Sequence, residues 1–382
     1  MARPDDLFAA EHYAAVRRPV GEAWNLPGWC YTEAAFFARE IERIFRREWV
    51  FAAREEQIPA PGDYLALEIA GIPLLLVRAG DGIARAFANT CRHRGCLIAE
   101  GSGHARDFTC PYHSWLYSLK GELLSAPTEM SESVGFKLSD FGLLPIRLED
   151  WGGFLWVNFA PDTPGLEAHL GNLPELLAPY ACGDMRLGRR VEFDVPCNWK
   201  FYVENLKDAQ HVTTVHRRSI NTYASPGKYR REQQRTIGNV LSTFMGYPGS
   251  AALLAGDSGF PPIAGLEADR LGTTAPLVFP NLYISCTVDC AWYIAVHPVA
   301  VDRSRVEQGA LFPRAVFDRP DFDEVAGRYF RRLDMTQEED NDICARQHRG
   351  VASPYHRAGR YATRERLVRH TVNWILDRVL DP

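Results

Sequence analysis

Two short stretches decide the fold: Cys91-Arg92-His93-Arg94-Gly95 and, after an intervening segment, Cys110-Pro111-Tyr112-His113. Written as a pattern they read C-x-H, sixteen residues, then C-x-x-H. Two thiolates and two imidazoles can hold a tetrahedral zinc, or a [2Fe–2S] cluster with Cys₂ on one iron and His₂ on the other. The order along the chain favours the cluster. A Cys₂His₂ zinc finger pairs cysteine with cysteine and histidine with histidine, whereas here each short loop offers one of each. Two such loops, presented side by side by strands, can each give a ligand to both irons. Each also carries a turn former, Gly95 in the first and Pro111 in the second.

The flanking text is strand-like. From Asp63 to Thr90, short apolar runs are separated by the turn signals Ala70-Gly71 and Gly80-Asp81-Gly82. The same character continues through Trp115-Leu116-Tyr117 with a bend at Lys120-Gly121, and closes at Gly153 to Phe159. Upstream, Phe37, Ile41, Ile44, Phe45 and Trp49 recur at helical spacing, which predicts an amphipathic helix from Thr32 to Trp49. Ala160 to Gly165, with prolines at 161 and 164, marks a boundary because proline and glycine disfavour regular structure. Beyond it, Trp199 to Val212 suits a helix and Val278 to Pro298 reads as strand. Asp321 to His348 is helix-like, and Val368, Val372, Ile375, Leu376 and Val379 form one stripe of a last helix. The fold class is therefore α+β, a small all-β domain beside a larger domain with an antiparallel sheet flanked by helices. The boundaries fall at residues 1–44 (a helical segment packing on the larger domain), 45–160 and 161–382.

A second concentration of chemistry runs from Asn198 to His216. On a helix, Asp208 and His211 would share a face. His216 lies five residues beyond His211, roughly 140° around an ideal helix, so both imidazoles reach one metal only if the helix loosens between them. The β-branched run Val212-Thr213-Thr214-Val215 favours such loosening. Two histidines and one carboxylate make the facial triad of a non-haem Fe(II) oxygenase, and the acidic run Gln337 to Asp342 is the candidate donor.

Composition narrows the rest. The 382 residues are 46% apolar and 24% charged, ordinary for a globular protein. Lys and Arg total 43 against 48 Asp and Glu, a formal charge of −5, which leaves no electrostatic footprint for nucleic acid or an anionic membrane. No apolar run is long enough to span a bilayer, and the first residues lack a secretory h-region. Nine cysteines, an odd count, argue for reduced thiols and metal ligation in the cytoplasm.

Taken together, the two motifs resemble the Rieske non-haem iron ring-hydroxylating oxygenases, specifically their catalytic α subunit. The resemblance implies that Cys91, His93, Cys110 and His113 hold a Rieske [2Fe–2S] cluster and that His211, His216 and an acid hold a mononuclear Fe(II). The family reads like E-D-x-x-x-C-x-x-x-Q-R-G near the third ligand. Glu339-Asp340, Cys344 and Arg349-Gly350 fall into that frame, which places the ligand at Asp340 and not Asp342, with His348 where Gln is usual. Asp208 would bridge a cluster histidine of one subunit to an iron histidine of the next, contacting His113 and His211, in a head-to-tail homo-oligomer, most simply a trimer. Asn205 would tune or hydrogen-bond the iron site, or else sit on the helix surface. Electrons would come from a ferredoxin and/or a flavin NAD(P)H reductase.

High-potential Rieske proteins carry a disulfide-forming cysteine in each loop. Here Cys96 has only Tyr112 where its partner would be, so the expectation is a buried thiol and a low-potential cluster. The resemblance divides on substrate. E-N-L-K-D-x-x-H is similar to the branch handling aromatic acids, which is the main reading. The text from Tyr112 to Pro127 is similar to choline, carnitine and glycine-betaine monooxygenases, so the alternative is oxidation of a quaternary or N-methyl amine. A reading of another class is a Rieske electron carrier without oxygenase activity. Pocket walls are expected from Phe201 to Asn205 and from Leu282, Tyr283, Ile284, Trp292 and Tyr293.

Overall fold

The computed structural model describes residues 4–220, 231–246 and 249–380. The chain divides into two compact units, Arg46–Thr163 and a second built from Met1–Phe45 with Pro164–Pro382. Among the described residues, no helix is long and apolar enough to cross a membrane.

In the smaller unit, seven antiparallel strands among the described residues form one sheet, in the order Val50–Arg54, Phe154–Asn158, Pro145–Trp151, Ala84–Ala88, Ile72–Arg78, Asp63–Ile69 and Ser102–His104. Its clearest local signal is Ala70-Gly71, where both residues have positive φ (54° and 74°) between the paired Ile69 and Ile72. A two-residue hairpin of this kind matches the strand twist, and glycine makes it possible at the second position. A smaller sheet of Asp107–Thr109, Leu116–Ser118 and Leu123–Ser125 completes the unit. Leu75, Val77, Phe87, Phe108, Trp115, Tyr117 and Leu123 pack together, with the Cys91 and Cys110 thiols inside the same core.

The larger unit is built on a second antiparallel sheet. Its described strands run Met185–Val195, Arg303–Pro313, Ala291–Ala300, Leu282–Cys286, Gly272–Val278, Val240–Gly246 and Arg231–Ile237. The 30-residue helix Phe322–Val351 buries one stripe: Val325, Ala326, Tyr329, Arg332, Leu333, Gln337, Asp340, Cys344 and His348. That stripe begins apolar and from Arg332 onward interleaves polar and charged residues (Arg332, Gln337, Asp340, His348) with Leu333 and Cys344, an unusual pattern for a helix face that only packs. The last helix, Arg366–Val379, buries Val368, Val372, Ile375, Leu376 and Val379, as its spacing predicts.

Two helices are shorter than the sequence predicts. The helix expected from Thr32 to Trp49 spans Ala34–Glu40, passes through a π-type turn at Ile41–Phe45 and gives way to a strand at Val50. The helix expected from Trp199 to Val212 ends at Asn205, and only a 3₁₀ turn at His211–Thr213 follows. Asp208 and His211 therefore do not share a helical face. The strand-like text from Val278 to Pro298 is two strands, Leu282–Cys286 and Ala291–Ala300, preceded by Gly272–Val278.

Candidate metal centres and their cavity

The two cysteine–histidine loops share one backbone plan. The Cys91 N–H donates to the Cys96 carbonyl (2.8 Å) and the Cys110 N–H to Trp115 (2.8 Å), while Gly95 donates back to Cys91 (2.9 Å) and Ser114 to Cys110 (3.0 Å). Gly95 and Ser114, at equivalent places, both have positive φ, 76° and 56°. Pro111 lies in the turn, as the sequence suggests, and the left-handed residue that closes the second loop is Ser114. Both thiols are buried, and the Nδ1 atoms of His93 and His113 face each other at 3.1 Å. Two nitrogens bonded to one metal at about 2.1 Å and near a right angle lie about 3 Å apart. The donor set and its spacing therefore fit an iron held by both imidazoles. His93 stacks on buried Trp115, with ring centroids 5.0 Å apart.

Two features of this unit were not anticipated. Tyr117 is fully buried and its hydroxyl lies 3.3 Å from Cys91 Sγ, while accepting the Arg92 N–H at 3.0 Å. Cys96, expected to be buried, is a free, half-buried thiol.

In the larger unit, the helix Trp199–Asn205 is anchored at its start. Asn198 caps it, accepting from the Lys200 backbone N–H at 3.2 Å and from Lys200 Nζ at 2.7 Å. Lys200 also pairs with Glu40 at 2.7 Å, both fully buried. The helix then stops, and the freed backbone brings His211 and His216 together with their Nε2 atoms 3.1 Å apart. Asp340 Oδ1 lies 3.1 Å from His216 Nε2 and 3.5 Å from His211 Nε2. The three donor atoms lie within 4.8 Å of one another.

Surrounding groups hold this triad. His216 Nδ1 is 2.9 Å from Glu339 Oε2, which also accepts from Ser219 Oγ at 2.5 Å. Asn205 Nδ2 donates to Asp340 Oδ1 at 2.7 Å, so Asn205 belongs to the site and not to a helix surface. Asp208 is half-buried; one oxygen accepts the Gln210 N–H at 2.7 Å and the other lies 3.7 Å from His211 Nδ1, long for a hydrogen bond. Asp342 is exposed and pairs with Arg346.

The electrostatics call for a cation. Burial alone would lower the His211 pKa, but Asp208 and Asp340 outweigh it and push it up to about 9. Burial alone would raise the Asp340 carboxyl, yet the two histidines hold it well below the usual carboxylate range. A buried cluster that draws in a proton this firmly is suited to a metal cation in its place. Two imidazoles and a carboxylate on one side, with space opposite, fit the facial triad of non-haem iron.

That space is a cavity of about 500 Å³, bounded by Asn205, His211, His216 and Asp340 on one side and by Tyr283, Ser285, Trp292, Ile294 and Arg332 on others. The strand period explains which expected wall residues take part. Tyr283 and Ser285 point inward, as do Trp292 and Ile294, whereas Leu282, Ile284 and Tyr293 do not line the cavity. Phe201, also expected, packs against Tyr31 instead, with centroids 4.2 Å apart.

The family model described as "Ring hydroxylating alpha subunit (catalytic domain)" matches residues 182–381, and that of the Rieske [2Fe–2S] domain matches residues 48–141. The chain belongs to the Rieske ring-hydroxylating oxygenase α-subunit family. It is an oxidoreductase whose cofactors are a Rieske [2Fe–2S] cluster and a mononuclear non-haem iron. Along 99% of its length it is 29% identical to the glycine betaine monooxygenase oxygenase subunit of Chromohalobacter salexigens, covering 91% of that protein. It is 36% identical to the biphenyl 2,3-dioxygenase α subunit of Rhodococcus jostii over 48% of this chain and 42% of that one. The fold is that of the quaternary ammonium Rieske monooxygenase CntA, with a TM-score of 0.80 at 22% identity over 95% of this chain and 97% of the other.

Sequence reasoning missed Glu339, Tyr117, Lys207 and Arg332. Glu339 sits beside Asp340 in an acidic run whose members are indistinguishable until the helix is oriented. Arg332 had a readable signal, a charge on the buried stripe two turns before Asp340.

Proposed function

We propose that this oxygenase subunit oxidises a quaternary or N-methyl amine, with Cys91, His93, Cys110 and His113 holding the cluster and His211, His216 and Asp340 the iron. The observation that carries the iron assignment is the convergence of three donor atoms within 4.8 Å at the wall of a 500 Å³ cavity. Substrate class is supported by near-full-length similarity to a glycine betaine oxygenase, which spans both units, whereas the biphenyl dioxygenase match covers half the chain.

When bound, the cluster supplies single electrons and the iron supplies the centre at which O₂ is activated. The chain's own groups set the geometry. Glu339 accepts the His216 Nδ1 proton, fixing the tautomer whose Nε2 lone pair faces the metal position. Asn205 steadies the Asp340 carboxylate. The apolar cavity walls exclude water from the side left open for substrate.

Asp208 is read as the acid linking neighbouring copies in a closed head-to-tail trimer, since it is half-buried and only loosely held by His211. An electron-transfer partner of the ferredoxin or flavin-reductase kind serves the cluster, in the cytoplasm, where cysteines outside the cluster stay reduced.

A second reading, oxidation of an aromatic ring, is favoured by one observation. The faces of Tyr283 and Trp292 already carry Lys207 and Arg332, at 5.1 and 5.2 Å, so these rings do not form an open cage for a substrate cation. The test is a panel of quaternary amines, N-methyl amines and aromatic acids turned over with a surrogate reductase. Product from an amine, abolished in His211→Ala with the cluster spectrum intact, supports the proposal. Product from ring compounds only replaces it with the second reading, and electron uptake without any product favours a plain carrier.

A further inference from the structure

We infer that Lys207 and Ser285 together form a receptor in the cavity wall for an anionic oxygen group of the substrate, and that Lys207 is kept there as a buried cation at the expense of stability. This rests on the cavity being the place of oxidation, but not on whether the rest of the substrate is an amine or a ring.

The contacts of Lys207 place its ammonium in the wall. Nζ donates to the Ala275 carbonyl at 2.5 Å and lies 5.1 Å from the centre of the Tyr283 ring, and both of those residues line the cavity, as Lys207 itself does. Lys207 is 5% exposed. An ammonium has three N–H donors, and Ala275 takes one. Among the described residues no carboxylate pairs with it; its chain neighbour Asp208 turns instead to the Gln210 N–H and to His211. Burial is the single cause acting on its pKa, drawing it down to about 7 with no negative group to oppose the fall. A buried charge without a counter-ion costs stability, so packing alone does not explain a lysine here.

The sheet is open at the same point. Strands Gly272–Val278 and Leu282–Cys286 pair at Thr274–Cys286 and again at Leu277–Tyr283 but not in between, where Pro276 has no N–H to offer. That register sets Ala275 opposite Ser285. Ser285 lines the cavity and is fully buried, and its Oγ has no hydrogen-bond partner among the described residues. The nearby Tyr283 hydroxyl, whose pKa burial pushes up to about 12, is neutral as well. The spare N–H donors of Lys207 and the Ser285 hydroxyl therefore flank Ala275 with no protein acceptor between them. A carboxylate fits such a pair, since its two oxygens can accept one donor each and its charge balances the ammonium. A permanent cation is repelled from this spot, so an amine substrate turns its acidic end here and its N-methyl groups away.

The test uses metal-loaded holoenzyme and two readouts. One is calorimetric Kd values for two matched pairs, an ω-trimethylammonium alkanoate against its primary amide and a benzoate against its benzamide. The other is the denaturant midpoint without substrate. In the wild type at least one acid should bind about 10- to 100-fold more tightly than its amide. Lys207→Met, which keeps the length of the side chain and removes its charge, should bring that ratio close to one and leave the midpoint unchanged or raised. Ser285→Ala should cut the ratio several-fold, and it serves if the methionine variant fails to fold. A lysine kept only to satisfy Ala275 behaves the other way, losing stability on substitution while the ratio stays. That result, or no acid preference on either scaffold in the wild type, overturns the inference. Preference on the benzoate scaffold alone keeps it while ending the amine reading above; preference on the ammonium scaffold supports both.

Discussion

The Tyr117 hydroxyl gives the cluster environment a measurable handle. It lies 3.3 Å from Cys91 Sγ, fully buried, with its orientation fixed by the Arg92 N–H that it accepts. Its proton is therefore directed to the sulfur. Reduction adds negative charge to the cluster, so a donor to a ligand sulfur stabilises the reduced state more than the oxidised one. A single hydrogen bond is worth about 0.5–1.5 kcal/mol net. With about 59 mV per 1.4 kcal/mol for a one-electron couple, Tyr117→Phe should lower the midpoint potential by roughly 20–60 mV. Phenylalanine keeps the ring packing among Leu75, Phe108 and Leu123, so the ligand set should be unchanged. The assay is a mediated redox titration followed by visible absorbance, with the spectrum of the reduced cluster as control. A shift smaller than about 10 mV, or an upward one, with an unchanged spectrum would refute the reasoning.

Glu339→Gln removes the carboxylate that fixes His216, and iron affinity in chelator competition should fall about 10- to 100-fold while acid-labile sulfide is retained. Unchanged affinity would mean that Glu339 only packs. Glu204 offers a pH test, because burial, opposed by the Tyr31 hydrogen bond and Lys200, raises its pKa from 4.5 to about 7. Between those values the native carboxyl binds a proton that the unfolded one has lost, so its contribution to stability falls as pH rises through the window and the penalty is complete above about pH 7. Glu204→Gln should thus gain up to about 3 kcal/mol over wild type at pH 8, and almost nothing near pH 4.5, in denaturant titrations. A pH-independent difference would sink this reading.

How much of this was legible in the sequence follows from which interactions are local. The loops 91–96 and 110–115 could be read because each is closed by its own backbone hydrogen bonds, so residue types and spacing carry the information. The hairpin at Ala70-Gly71 and the stripe of the last helix were legible for the same reason. The end of the helix at Asn205 was not, because nothing in its own text stops it. Asn205 is instead tied to Asp340, a residue 135 positions away. The separate roles of Glu339, Asp340 and Asp342 were likewise hidden until the helix Phe322–Val351 was oriented, with one acid against His216, one in the triad and one exposed beside Arg346.

The iron site depends on a contrast between a stiff base and a freed segment. Trp199–Asn205 is fixed by its Asn198 cap, by the fully buried Lys200–Glu40 pair and by the Tyr31–Phe201 stack. Asn205 is thereby delivered against Asp340 without freedom to drift. On the facing helix the polar stripe is itself paired: Gln308 donates to Gln337 at 2.9 Å and Tyr202 to Asn341 at 2.9 Å. Such pairing offsets the desolvation that buried polar groups would otherwise cost, and it fixes the rotation of the helix that carries Asp340. The histidines come from backbone that has left the helix, which lets residues five apart turn their Nε2 atoms to one point. A continuous helix would have separated them by more than a right angle and left one imidazole facing away. The early helix end is therefore a requirement of the metal site, and a substitution that extends the helix past Asn205 should lose iron before it loses fold.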